Sequence, residues 1–412
     1  MSHTWLDVDP DSPFGPQTLP YGVFAVGSPA PRVGVRIGEW VLDAAGVAQK
    51  VAPAIGKWLR QASLDPLLAA GPQVWAQVRA ALTTWLSDDQ YRASVEQNLH
   101  PLDSVTLSLP FAVGDYVDFY SCRQHAENLG TILRPGQPAL TPNWRHMPIG
   151  YHGRAGTVVV SGTQIRRPYG QIRGPGPDDQ PVFGPTRRLD FEAEIGFMVG
   201  IGSRLGQRLA VADFAEHVFG VIAINDWSAR DVQAWEYVPL GPFLGKSFST
   251  TISAWVTPLA AFQAARITPP VREVPLLPYL RDEDQPWGLD ITLEVELNGN
   301  VVARPPFRDM YWTPAQQLAH LTVNGASART GDLFASGTVS GGQADQLGSL
   351  IELSWNGERP LRLSDGSIRT FLEDGDEVVI RATAAGPFGT KVGVGEARGR
   401  ILPATCSTHG RV

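Results

Sequence analysis

The stretch Leu189-Asp190-Phe191-Glu192-Ala193-Glu194-Ile195-Gly196-Phe197 alternates apolar and acidic side chains through its first seven residues. Successive side chains of a strand point to opposite faces. Leu189, Phe191, Ala193, Ile195 and Phe197 therefore share one face, and Asp190, Glu192 and Glu194 share the other. The run 189–199 reads as a strand with one face in a core. Two glutamates two apart on one face have Cβ atoms roughly 7 Å apart. A solvated sheet face would explain the pattern without any function. If the acidic face lines a pocket instead, both glutamates stay ionised only with a cation between them. Mg²⁺ or Ca²⁺ suits such a pair of carboxylates.

Outward from this strand, 157–161, 221–226, 291–297, 332–338, 350–355 and 377–381 also read as strands. The Asn-Gly pairs in 297–300 and 355–358 suit type I′ hairpins. A helix is expected from Thr313, with Pro314 at its first position and Gln316 completing a capping box. The segment 118–134 reads as a helix or helix-like turn. Nearer the N-terminus, 1–17 reads as an irregular arm, and 21–26, 32–37 and 40–43 as short strands. Apolar residues recur every three or four positions through 53–97, which predicts helices. The extended 102–110 is the expected passage between domains. With 412 residues, 43 Gly and 34 Pro, the chain is too long for one core and rich in turns. The expected architecture is mainly β with peripheral helices, in two domains, 1–110 and 111–412.

Composition narrows the function. A net charge of −7 and the absence of a basic stripe argue against nucleic acid. The two cysteines, Cys122 and Cys406, cannot staple a chain this size and form no metal or redox motif. No apolar stretch reaches the length of a membrane span, and the N-terminus lacks the features of a signal peptide. The cytoplasm is the expected compartment.

Other acids strengthen the cation reading. Asp118 precedes the run Phe119-Tyr120-Ser121-Cys122-Arg123-Gln124-His125, and Asp226 ends the apolar strand at 221–225. Four carboxylates from three segments would make an oxygen-rich ion site. Among eight histidines, His125 is set apart by Asp118, Tyr120 and Arg123 close by, and its type suits proton abstraction from water. The other seven (His3, His100, His146, His152, His217, His320, His409) read as structural or surface residues. The loop 241–251 lacks Walker spacing; Lys246 within it reads as a point charge offered to a developing anion.

The runs Gly114-Asp115-Tyr116-Val117-Asp118-Phe119-Tyr120-Ser121, Gly150-Tyr151-His152-Gly153-Arg154, Asn225-Asp226-Trp227-Ser228-Ala229-Arg230-Asp231, Trp235 through Lys246, and Ala335-Ser336-Gly337-Thr338 resemble those of the fumarylacetoacetase family. The resemblance runs from about Leu19 to Pro403. It implies an SH3-like N-terminal barrel, a C-terminal β-roll and a homodimer. It also implies cleavage of a small diketo dicarboxylic acid, fumarylacetoacetate, to fumarate and acetoacetate, the last step of tyrosine and phenylalanine breakdown. The family's ion ligands fall on Asp118, Glu192, Glu194 and Asp226, and its His–Glu pair on His125 and Glu352. Substrate contacts fall on Tyr120, Arg134, Tyr151, Gln233, Tyr237 and Thr338. Arg230 and Lys246 fall near the reacting oxygens, and a second Mg²⁺ near Asp226, Lys246 and Thr250. The expected mechanism uses His125 as base, oriented by Glu352. Arg230, Gln233 and Lys246 stabilise developing charge, while Arg134 and the tyrosines hold carboxylates. The rivals are an acylpyruvate-type hydrolase or a decarboxylase, which lack the long N-terminal domain, and a non-catalytic binder of metal and dicarboxylates, which has no use for a His–Glu pair.

Overall fold

The computed structural model describes residues 4–27, 30–175 and 180–405; Cys406, His3, His409 and the middle of the Gly/Pro-rich 174–181 stretch lie outside them. The acidic strand forms the spine of the molecule. Ala193–Val199 lies in the middle of a large sheet whose order is Gly150–His152, Tyr116–Phe119, Leu333–Ala335, Ala193–Val199, Val218–Asp226, Thr250–Ile252, Val158–Val160. Both faces of this sheet are covered, which explains the unbroken apolar runs of its central strands. Leu189, Phe191, Ala193, Ile195 and Phe197 enter one core together with Val221 and Ala223. A second sheet, ordered Asn300–Ala303, Ile291–Leu297, Glu377–Ala385, Lys391–Leu402, Ile165–Arg166, supplies much of the rest of that core. Met198, Ile222, Ile224, Ile252 and Leu333 point the other way into a second core.

That second core is shared with the N-terminal region. Leu99–Pro101, Trp40–Asp43, Arg32–Ile37, Tyr21–Ala25 and Thr106–Ser108 pair in this order as an antiparallel sheet, a curled half-barrel of the expected type. Helices Pro53–Leu59, Asp65–Ala69, Pro72–Ser87 and Arg92–Glu96 fill 53–97 as their periodicity predicts. Ala44–Val51 is a further helix, its first turn capped by Asp43, which accepts the Gly46 N–H at 2.9 Å. Tyr21 and Trp75 meet Phe219 of the large sheet edge-on, with ring centroids 5.5 and 5.3 Å away.

Several local expectations need correction. The segment 102–110, expected to be extended, begins with a helical turn at Leu102–Ser104 and is extended at Thr106–Ser108, an edge strand on Tyr21–Ala25. Asp118 lies on the strand Tyr116–Phe119, and the helix begins only at Arg123. The strand expected over 350–355 is a helical turn, Leu350–Leu353. Its first amides donate to the Asp190 carboxylate, Leu350 at 2.7 Å and Ile351 at 3.1 Å, and an acceptor there favours a helix start over an extended chain. The Asn-Gly pair at 356–357 makes no hairpin: Trp355, Asn356 and Gly357 all have positive φ and reverse the chain after that turn. At 297–300 the hairpin forms as expected, with Asn298 and Gly299 at φ 50° and 78°. The helix Pro314–Thr322 carries the expected Thr313–Gln316 capping box. The strand at 332–338 shortens to Leu333–Ala335. Two residues beyond its end stands Gly337, where φ is 79° and an added Cβ would lie 2.1 Å from the Phe119 carbonyl oxygen.

The shared core makes a prediction. Phe219→Ala should cost about 3–5 kcal/mol, as for a buried phenylalanine truncated to alanine. Urea denaturation should remain one transition, moved to lower urea. Two separated transitions would show that the N-terminal sheet folds independently of the large one.

Candidate active site

The register of the large sheet gathers acids at one end. Asp118 pairs with Ala335 in parallel, Ala335 pairs with Gly196, and Ala193 pairs with Asn225, so Asp118, Glu194 and Asp226 arrive side by side. Glu192 sits where the long acidic strand breaks: Leu189–Asp190 turns to pair with Ser228–Ala229, and the Glu192 carbonyl accepts the Asp226 N–H at 3.1 Å. All four side chains are buried, and one carboxylate oxygen from each lies within 4.8 Å of the others.

The four acids are not equivalent. Asp226 accepts from Tyr151 Oη at 2.8 Å, Thr250 Oγ1 at 2.8 Å and Lys246 Nζ at 3.0 Å. Glu192 is hydrogen-bonded by Lys246 and ion-paired with Arg230 Nη2 at 2.8 Å. Burial works against its charge, but Lys246 and Arg230 outweigh it and hold the Glu192 carboxyl below the usual range. Asp118 and Glu194 lack such partners. Burial first, then the neighbouring carboxylates, push both well above the usual carboxylate range. Both Glu194 oxygens and Asp118 Oδ1 have no protein donor among the described residues. Unpartnered buried carboxylate oxygens cost free energy, and an oxygen-only donor set of this kind fits a hard divalent cation. Lys246 keeps its charge: burial lowers its pKa, and Asp226 and Glu192 raise it by more. Burial, reinforced by Asp226, pushes the Tyr151 hydroxyl up, so it remains a donor.

Beside the cluster, His125 Nδ1 lies 2.7 Å from Glu352 Oε2. Glu352 is completely buried and also accepts from Asn128 Nδ2 at 2.8 Å, Ser349 Oγ at 2.6 Å and Ser340 Oγ at 3.0 Å. Burial opposes its charge, yet His125 and these donors prevail and hold its pKa down. The ring of Tyr120 meets His125 edge-on, centroids 5.4 Å apart. His125 is close enough to act electrostatically on Glu192, which joins the pair to the acid cluster.

Of the remaining expected residues, Arg230 donates to Asp190 at 2.8 Å and to Gln233 at 3.1 Å. Arg134 ends the helix Arg123–Leu133 and donates to the Ala139 carbonyl at 2.8 Å, within electrostatic reach of Tyr120. Thr338 is buried with its Oγ1 unpartnered. Tyr237 is half-buried at the end of the helix Arg230–Glu236. A cavity of about 290 Å³ opens onto Tyr151, Asp226 and Lys246, with Arg154 and Phe243 in its wall; His125, Tyr120 and Arg134 do not line it. Sequence reasoning missed Asn128, Ser340 and Ser349, whose types carry no chemical signature. The alternation also put Asp190 on the same strand face as Glu192 and Glu194 and gave it no role. Asp190 instead binds Arg230 and the amides of Phe191, Leu350 and Ile351.

Two family models match, fumarylacetoacetase N-terminal over residues 17–110 and fumarylacetoacetate (FAA) hydrolase C-terminal over residues 116–394. The chain belongs to the fumarylacetoacetase family. It is 46% identical to the fumarylacetoacetase of Mus musculus over 417 residues, covering 97% of this chain and 99% of the relative. It is 43% identical to the fumarylacetoacetase of Arabidopsis thaliana, covering 97% and 98%. Among solved structures it is similar in fold to the fumarylacetoacetate hydrolase of psychrophilic Exiguobacterium antarcticum, with a TM-score of 0.53, 17% identity, and 93% and 99% of the two chains covered.

For a member of this family, the His125–Glu352 contact makes a definite prediction. His125→Gln should lower kcat by about 10²- to 10⁴-fold, the range for losing a general base. Glu352→Gln should cost a comparable factor, since the ring loses the partner that fixes its tautomer. Residues acting as one unit are non-additive, so the double variant should be little worse than the worse single. Losses that multiply in steady-state kinetics would show that the two act independently.

Proposed function

We propose that this protein hydrolyses the carbon–carbon bond of 4-fumarylacetoacetate that joins the fumaryl carbonyl to the methylene between the two ketones, releasing fumarate and acetoacetate. The observation that carries this reading is a buried His125–Glu352 pair beside an oxygen-only acid cluster, in a chain matched almost end to end by fumarylacetoacetases.

His125 has Nδ1 engaged by Glu352, which leaves Nε2 to take a proton from water. The water oxygen bonds to the fumaryl carbonyl carbon. The carbon–carbon bond then breaks, its electron pair passes into the enolate of acetoacetate, and the proton held on His125 returns to that product. Glu352 stabilises the imidazolium in between, and its three further donors keep it from turning away. A divalent cation held by Asp118, Glu192, Glu194 and Asp226 would supply Lewis-acid polarisation of the two carbonyl oxygens. Arg230, Gln233 and Lys246 stabilise negative charge as it develops, which is usually the largest single contribution to catalysis of this kind. Arg134, with Tyr120, Tyr151, Tyr237 and Thr338, binds and orients the rest of the dicarboxylate.

Mg²⁺ or Ca²⁺ is the cation, on the grounds of the all-oxygen donor set. A second, structural Mg²⁺ would be held by oxygens of Asp226, Thr250 and Lys246, the last through its backbone carbonyl, because the Lys246 ammonium has no lone pair and is engaged by Asp226 and Glu192. Residues 1–110 and 111–412 are the two domains, a division supported by the two family-model matches. The protein acts as a cytoplasmic homodimer in tyrosine and phenylalanine breakdown. No helix among the described residues is long and apolar enough to cross a membrane.

Fumarate release from fumarylacetoacetate tests this reading. Turnover should vanish when divalent metal is stripped and return with Mg²⁺ or Ca²⁺. Full turnover at zero metal content, or no fumarate from the metal-loaded enzyme, would contradict it.

A further inference from the structure

Lys246 is buried among acids, yet the loop that delivers it has little core to hold it. Val238, Leu240, Phe243 and Leu244 are 67%, 96%, 58% and 49% exposed. Within the chain, apolar packing therefore does little to fix where this loop ends. A carboxylate supplies what packing does not. Glu236 Oε1 accepts the Phe243 N–H at 2.8 Å and the Gly245 N–H at 2.8 Å, and Oε2 accepts the Leu244 N–H at 2.9 Å. These amides open the helical turn Leu244–Ser247, where backbone donors have no acceptor within the turn itself. Glu236 is the last residue of the helix Arg230–Glu236, which also carries Arg230 and Gln233. The two helical pieces touch through Gly245, where an added Cβ would stand 2.8 Å from the Gln233 nitrogen and 3.0 Å from the Ala229 carbonyl oxygen. The Gly241 N–H closes the loop on the Tyr237 carbonyl at 2.7 Å.

We propose that Glu236 is a positioning residue, clasping the turn that bears Lys246 onto the helix that bears Arg230 and Gln233, so that the three charge-stabilising groups form one rigid unit. This rests on the reading of Lys246 as a stabiliser of developing charge. Glu236 lies outside the acid cluster and acts only through the backbone of residues 243–245. Its three bonds to amides are charge-assisted and define direction as well as distance, and an error of about 1 Å in a reacting group can cost on the order of 10²-fold in rate.

The test compares Glu236→Ala, Lys246→Met and the double variant in the metal-loaded enzyme. Glu236→Ala should lower kcat by about 10²-fold with KM little changed, the cost of a misplaced group. The double variant should be no slower than Lys246→Met alone. A kcat for Glu236→Ala equal to wild type, or losses that multiply in the double variant while Lys246→Met is impaired, would overturn the proposal. A Lys246→Met enzyme with full kcat would instead overturn the role given to Lys246, and the proposal with it. Amide exchange in the milder Glu236→Gln gives a readout that needs no activity. Faster exchange confined to 242–248 is expected, and unchanged exchange there would also overturn the clasp.

Discussion

Four carboxylates held out of water around one point are the constraint on which the rest of this structure depends. Burying a charge is costly unless it is paired and hydrogen-bonded, and here four acids crowd within 4.8 Å. The chain answers with a graded set of partners. Asp226 takes three donors, Glu192 takes Lys246 and Arg230, and Asp118 and Glu194 are left with oxygens that no protein donor among the described residues meets. A rigid sheet covered by a core on each face is the scaffold that can keep such an arrangement from relaxing. The N-terminal half-barrel contributes by completing one of those cores, and so supports chemistry it does not touch.

Asp190 connects this cluster to the base. It is fully buried and binds Arg230, which faces Glu192, while capping the helical turn that carries Glu352. One carboxylate thus sets the spacing between the His125–Glu352 pair and Arg230. Catalytic geometry tolerates little slack, and the supporting contacts from Asp190, Asn128, Ser340 and Ser349 are what remove it here.

Much of this was legible in the sequence because it follows short-range rules. The apolar face of 189–197, the capping box at Thr313 and the Asn-Gly turn at 298–299 each announce their conformation locally and formed, although the strand itself divides into Leu189–Asp190 and Ala193–Val199. The ion-site acids could be grouped because carboxylates delivered by strand ends are unusual. What escaped was fixed by distant partners. Leu350–Leu353 looks like a strand until Asp190, 160 residues earlier, caps its amides. Trp355–Gly357 looks like a hairpin turn until that helical turn precedes it. The break between Asp190 and Glu192, which separates a structural acid from an ion-facing one, leaves no mark in the alternation. Nothing in the residues around Glu236 announces its bonds to amides seven to nine residues away.

The central claim is that the acid cluster is a cation site whose unpartnered members, Asp118 and Glu194, are shifted towards their protonated forms when no cation is present. Burial first, then the charges of neighbouring acids, Asp226 foremost for Asp118 and Asp118 for Glu194, hold both carboxyls well above the usual range. A cation offsets that repulsion with attraction and favours the ionised forms of both, so binding is coupled to proton release. Titration calorimetry of the metal-free protein with Mg²⁺ or Ca²⁺ near neutral pH, repeated in buffers of different ionisation enthalpy, reads this directly. Saturable binding with net proton release is predicted, and it should be lost when Glu194 is changed to glutamine. Binding that releases no protons, or no saturable binding at all, would contradict the claim.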